Sequence, residues 1–313
     1  KDVISFILIV GLTIVNIFGV NVSKFVNNLI TISKLVPLAL FIAIGIFFIN
    51  GANFTPVFPQ DIYVDGSFAQ AAVLLFFAYT GFEVIAIAAE DMKNPKKNLP
   101  RAIIMCMLLV SVLYMAILAV SIGVLGTDLA NTKAPVQDAF NVIVGPIGMY
   151  IVLIGTLISM GGINFAEAYY APRVATSMAE DGMLPSALAK RNRYNAPYVA
   201  AIVTAIASVL LAWSGSFTTL AAISAVSRFT QYLPTCLAVI IFRRKWADKA
   251  RSYTIPGGYL IPVIAIGTSL WMLAQAQTNQ LLWGLGGCIV ILPFYYSYWK
   301  KKKAGLIKDH DEM

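Results

Sequence analysis

Long apolar runs separated by short polar clusters set the pattern of this chain. An α-helix rises about 1.5 Å per residue, so a bilayer core of about 30 Å takes about 20 apolar residues. By that measure the runs at 3–22, 24–49, 67–89, 102–125, 147–179, 198–213, 218–242, 259–275 and 281–299 predict about nine membrane-spanning helices. The run at 147–179 is too long for one perpendicular crossing, so it is expected to tilt or to extend beyond the bilayer. Ser214-Gly215-Ser216 leaves room only for a tight turn between two of the helices.

The charges between the runs orient the crossings. Lys93, Lys96, Lys97 and Arg101 follow the third run, Lys190, Arg191 and Arg193 the fifth, Arg243, Arg244 and Lys245 the seventh, and Lys300 to Lys303 the last. Segment 50–66 carries Asp61 and Asp65 without Lys or Arg, and segment 126–146 carries two aspartates against one lysine. The basic loops are therefore expected in the cytoplasm together with the C-terminus, and the acidic segments and the N-terminus outside. Composition agrees with this reading: 59% of residues are hydrophobic and 12% charged, with a mean hydropathy of +0.77, which is the polytopic membrane class. The net charge of +8 could point to nucleic acid, but its basic residues sit in the loops, where membrane topology accounts for them.

Cysteine and histidine add little chemistry. Cys106, Cys236 and Cys288 lie in three different apolar runs without metal-ligand spacing, so neither a disulfide nor a metal site is expected. His310, the lone histidine, stands in the tail. No cofactor is called for. Lys1-Asp2 leads straight into an apolar run without a signal-peptide pattern, so the chain is expected to be a piece of a longer one.

A few polar residues interrupt the apolar runs. Ala78-Tyr79-Thr80-Gly81 sits near the middle of the third, followed by Glu83. Small residues and a glycine, which costs about 1 kcal/mol relative to alanine in a helix, weaken the helix there. Either the helix opens and its freed backbone groups face a cavity, or Gly81 serves close packing. Lys34 lies about 15 Å beyond Lys24 along the second run, deep enough to be paired or functional unless it snorkels. Arg228 lies well inside its own run. It either pairs with Glu83 or Glu167 or reaches the outer surface. Asn164 and Glu167 share a helix face and either line a cavity or bond neighbouring helices. Glu83 is either protonated and structural or a binder of a cationic substrate.

The stretch FAYTGFE followed by AAEDMKNPKKNLPRAI resembles the sixth helix and following cytoplasmic loop of the amino acid/polyamine/organocation (APC) permeases. The resemblance implies an all-α polytopic membrane protein with an inverted-repeat, LeuT-like transporter fold and at least one discontinuous helix. It places this chain as helices four to twelve of a twelve-helix protein. Residues 1–66 would end the first inverted repeat, 67–245 form the second with its broken first helix, and 246–313 supply two last helices and a basic tail.

The same resemblance implies site residues. Phe77, Ala78, Tyr79, Thr80, Gly81 and Phe82 would form the substrate site, with carbonyls of Phe77, Ala78 and Thr80 receiving the substrate's α-ammonium and Phe82 closing over it. Ser33-Lys34-Leu35-Val36-Pro37 matches the fifth-helix lysine that some members use in place of sodium, and Ser159, Gly161 and Gly162 would lie beside it. Lys34 and Ser159 would then carry proton coupling, since a desolvated lysine exchanges its proton as its exposure changes. Glu83, Asn164, Glu167 and Arg228 remain candidates for a polar cavity. Arg173 and Glu180-Asp181-Gly182-Met183-Leu184-Pro185 resemble the cytoplasmic end of the eighth helix, and Glu90 and Asp91 are expected to partner loop lysines.

The function this implies is secondary active transport of an amino acid or related organic amine by alternating access, proton-coupled, in the cell membrane. Exchange of two amino compounds without proton coupling is the alternative within the class. A channel needs only a polar pore. A membrane-embedded enzyme wants paired acidic or His-rich motifs, and no aspartate lies inside any predicted span. Oligomeric state leaves no mark in the sequence.

Overall fold

The computed structural model describes residues 2–18, 24–55, 67–83, 85, 92–249, 251 and 253–303. Glu90, Asp91, Asp61, Asp65, His310 and the Cys288 side chain, all named above, lie outside the described residues, as does most of the third run beyond Glu83.

The described residues are helical, without a strand: α1 (Asp2–Ile17), α2 (Lys24–Gly45), α3 (Ser67–Ala78), α4 (Pro95–Leu125), α5 (Pro135–Val144), α6 (Pro146–Glu180), α7 (Tyr198–Ser214), α8 (Phe217–Lys245), α9 (Leu260–Gln275) and α10 (Thr278–Lys303). Among them, α2, α4, α6, α8 and α10 hold spans long and apolar enough to cross a membrane, while α1, α3, α7 and α9 are apolar but shorter. Each of the nine apolar runs thus overlaps one apolar helix, the third only in its described part. The long run continues unbroken as α6, whose 35 residues reach about 52 Å. The tight turn at 214–216 is present, and the Ser216 hydroxyl caps α8 by accepting the Thr219 N–H at 3.3 Å.

One element departs from expectation. Segment 126–146, read as an outer loop, contains α5. Pro135 starts it at a position where a missing N–H costs nothing, and Gly145, at φ +78°, turns the chain directly into α6. Val136, Ala139, Phe140 and Ile143 recur at helical spacing and pack against the core. Asp128 and Asp138 give the segment a polar count, while its apolar face is too short to stand out by hydrophobic length.

The chain divides into two compact units. The first draws on residues 1–58, 115–214 and 292–313. Its core gathers Phe41, Val120, Ala139, Phe140 and Val152, with the rings of Phe41 and Phe140 edge to face at 5.7 Å. Glycines let α2 and α6 approach closely: a Cβ at Gly155 would stand 2.5 Å from Pro37 Cγ and 3.0 Å from the Ser33 carbonyl oxygen, and one at Gly162 2.4 Å from Ile30. Since Ile30 faces Gly162 and Pro37 faces Gly155, the two helices run antiparallel. The second unit draws on residues 59–114 and 215–291. There Val73, Ala222 and Ala225 form the core between α3 and α8, with Phe76 and Phe77 packed against it. Phe76 stacks on Phe229 at 4.7 Å.

Candidate functional site

The third apolar run is interrupted where the sequence is weakest. Helix α3 ends at Ala78. The Tyr79 and Thr80 N–H groups reach back three residues to Phe76 and Phe77, at 3.0 and 3.1 Å, tightening the last turn. Gly81 then takes φ +104°, a conformation closed to residues with a Cβ.

Side chains hold the break in place, all within the second unit. The Tyr114 hydroxyl donates to the Ala78 carbonyl at 3.0 Å, and its ring meets Tyr79 edge to face at 5.3 Å. The Thr80 hydroxyl donates to the Phe77 carbonyl at 2.7 Å. Of the carbonyls expected to face substrate, that of Phe77 thus already receives two donors, the Thr80 N–H and hydroxyl, and that of Ala78 one. A carbonyl oxygen has two lone pairs, so Ala78 can accept a second donor while Phe77 is already saturated. Phe82 stacks on Tyr232 at 5.7 Å, and Phe77 meets Phe217 edge to face at 6.2 Å.

Glu83 is the centre of this cluster. One of its oxygens accepts the Gly81 N–H at 3.0 Å and the Tyr232 hydroxyl at 3.1 Å; the other is ion-paired with Arg228. The side chains of Glu83 and Arg228 are 15% and 31% exposed. Arg228 and Tyr232, four apart on α8, share a helix face. Of the partners left open for Arg228 by the sequence, the structure joins it to Glu83. The Arg228 Nε is buried without a hydrogen-bond partner among the described residues.

The remaining candidates lie in the first unit. Lys34 is half-buried on α2, one turn beyond Ile30 and one short of Pro37. Ser159, also half-buried, falls on α6 between the close-approach glycines Gly155 and Gly162. The antiparallel pairing brings the two to one level of the α2–α6 seam, with no hydrogen bond between them among the described residues. The Asn164 amide donates to the Met160 carbonyl of its own helix at 2.8 Å, and Glu167 is exposed. At the far end of α6, Arg173 lies over the Tyr169 ring at 3.3 Å, and Glu180 pairs with Arg191 at 3.0 Å. Cys106 and Cys236 are free thiols. No cluster of metal-ligating side chains occurs among the described residues.

Tyr114 and Tyr232 escaped the sequence reading. The helical spacing of Tyr232 from Arg228 was a signal for the one; for Tyr114 there was none, because only folding brings it to Ala78.

Comparison with known proteins follows the same line. A family model described as amino acid permease matches residues 2–298. The branched-chain amino acid permease BcaP of Bacillus subtilis is 29% identical over 95% of this chain and 64% of its own length. The methylthioribose transporter of the same organism is 29% identical over 94% of this chain and 64% of its own length. The serine/threonine exchanger SteT, also from Bacillus subtilis, is 29% identical over 97% of this chain and 70% of its own length. The chain therefore spans 64% of the length of the first two relatives.

Proposed function

The chain belongs to the amino acid permease family, and from that premise we propose that the whole protein is a secondary active transporter of an amino acid or related organic amine. It works by alternating access in the cell membrane, with the basic loops and C-terminus in the cytoplasm. The observation that carries this reading is the end of α3 at Ala78 and the turn at residues 79–81 inside the apolar run, with Gly81 at φ +104°. Backbone groups released at membrane depth need a polar partner, and a substrate ammonium suits carbonyl oxygens, which offer partial negative charge without a bare carboxylate. Ala78 and Thr80 supply these carbonyls in the proposed site, with Phe77 joining them only on release of its Thr80 donors, beside Tyr79 and Gly81, and Phe82 stands next to them as the closing ring.

Lys34 is the proposed coupling group, with Ser159 at its level across the α2–α6 seam. A charged lysine so placed occupies the position of a coupling cation, and loss of its proton on one side of the cycle links transport to the proton gradient. The likeness to a serine/threonine exchanger favours a second reading, exchange of one amino compound for another. Uptake of labelled amino acid by the full-length protein in proteoliposomes separates the two. Under proton coupling, an inward proton gradient drives accumulation, and Lys34→Ala abolishes the response to the gradient. Uptake that ignores the gradient, rises with unlabelled amino acid inside and survives Lys34→Ala establishes exchange and ends the proton role.

A further inference from the structure

Both oxygens of the Glu83 carboxylate are engaged, one by hydrogen bonds and the other by an ion pair. A guanidinium, a hydroxyl and a backbone N–H share its two oxygens, so it has little capacity left for a substrate ammonium or guanidinium. Because one of those donors is the Gly81 N–H at 3.0 Å, the ion pair abuts the interruption in α3. The other side chains there, Phe77, Tyr79, Phe82, Tyr114 and Tyr232, are aromatic and uncharged.

We propose that the Glu83–Arg228 pair cancels charge at the substrate site and so makes the transporter select amino acids with uncharged side chains. The inference rests on the transport reading above and adds substrate class to it. Inside a membrane protein an isolated charge acts over many ångströms, whereas a close pair of opposite charges presents only a dipole whose field falls away faster. A zwitterionic substrate with a neutral side chain is itself without net charge and matches such a site. Among the described residues of the site, a cationic or anionic side chain finds no opposite charge free to receive it, and must shed water without compensation. The sequence-level alternative in which Glu83 binds a cationic substrate is thereby set aside in favour of a carboxylate held by the protein's own arginine.

Side-chain isosteres test this on the purified full-length transporter by calorimetric binding. Norleucine and lysine differ by an ammonium group, and glutamine and glutamate by a charge. The wild type should bind each neutral member at least about tenfold more tightly than its charged counterpart. Arg228→Gln should shift the balance at least about tenfold toward lysine, and Glu83→Gln by a similar factor toward glutamate. The doubly neutral variant, which leaves no orphan charge, should return to the wild-type order, and Arg228→Lys should preserve it. A wild type that binds lysine or glutamate as tightly as the neutral isostere overturns the proposal without requiring any variant to fold. A folded Arg228→Gln that binds ligand in the wild-type order overturns it as well. A folded wild type that binds none of the four and takes up no labelled amino acid overturns the transport reading, and this proposal with it.

Discussion

A hydrogen atom in place of a methyl decides how closely α2 and α6 approach. At Gly155 the opposing wall is a proline ring and a backbone oxygen, neither of which swings aside, so Gly155→Ala must separate the helices and should cost roughly 1–3 kcal/mol. Gly161 stands on the same helix with nothing within 4 Å of the position a Cβ would take. There an alanine should stabilise, by up to about 1 kcal/mol, through helix propensity alone. Thermal unfolding of the two variants in detergent should move the midpoint in opposite directions; a common shift would show that the seam is not packed through Gly155. Single residues were the least legible scale. Lys34, Glu83 and Arg228 stood out in the sequence because charge is rare in apolar runs. Which of Glu83 and Glu167 pairs with Arg228 was not legible, since Glu83 and the Tyr232 that shares it lie 149 positions apart and helical spacing reports only on neighbours within one helix.

Among elements, the long apolar helices were legible because hydrophobic length alone predicts them. The interruption in α3 was legible as a weakness but not as a geometry, since a mid-membrane glycine equally serves packing. The short α5 was missed. Its apolar face is four residues wide, and it earns its helix by packing rather than by length. Phe140 is 1% exposed in that face and Val142 is 65% exposed on the other. Phe140→Ala should therefore cost about 3–5 kcal/mol, whereas Val142→Ala should stay within about 0.5 kcal/mol. Chemical or thermal denaturation of the two variants checks the contrast, and equal losses would mean that α5 does not seal the core.

At the scale of the molecule, the sorting of basic and acidic loops predicts a topology that labelling tests directly. In a background lacking Cys106, Cys236 and Cys288, Lys97→Cys and Arg243→Cys should react with an impermeant thiol reagent only from the cytoplasmic side. Thr132→Cys and Ser214→Cys should react only from outside. Labelling of all four from one face would break the predicted alternation of crossings. The order of the long apolar helices needed no structure, because apolar length and loop charge are both local properties of the chain, whereas α5 did. The gathering of the side chains around Glu83 is a property of the folded chain and needed one.

The length of α6 carries one mechanical consequence. A continuous helix of 35 residues, with Pro172 inside it, overshoots a hydrocarbon layer of about 30 Å by roughly 20 Å, so it can act as a lever. Pivoting by about 10° around one tip would sweep the opposite tip through about 9 Å. Small rocking beside the lipid would thus be amplified where Arg191 clasps Glu180.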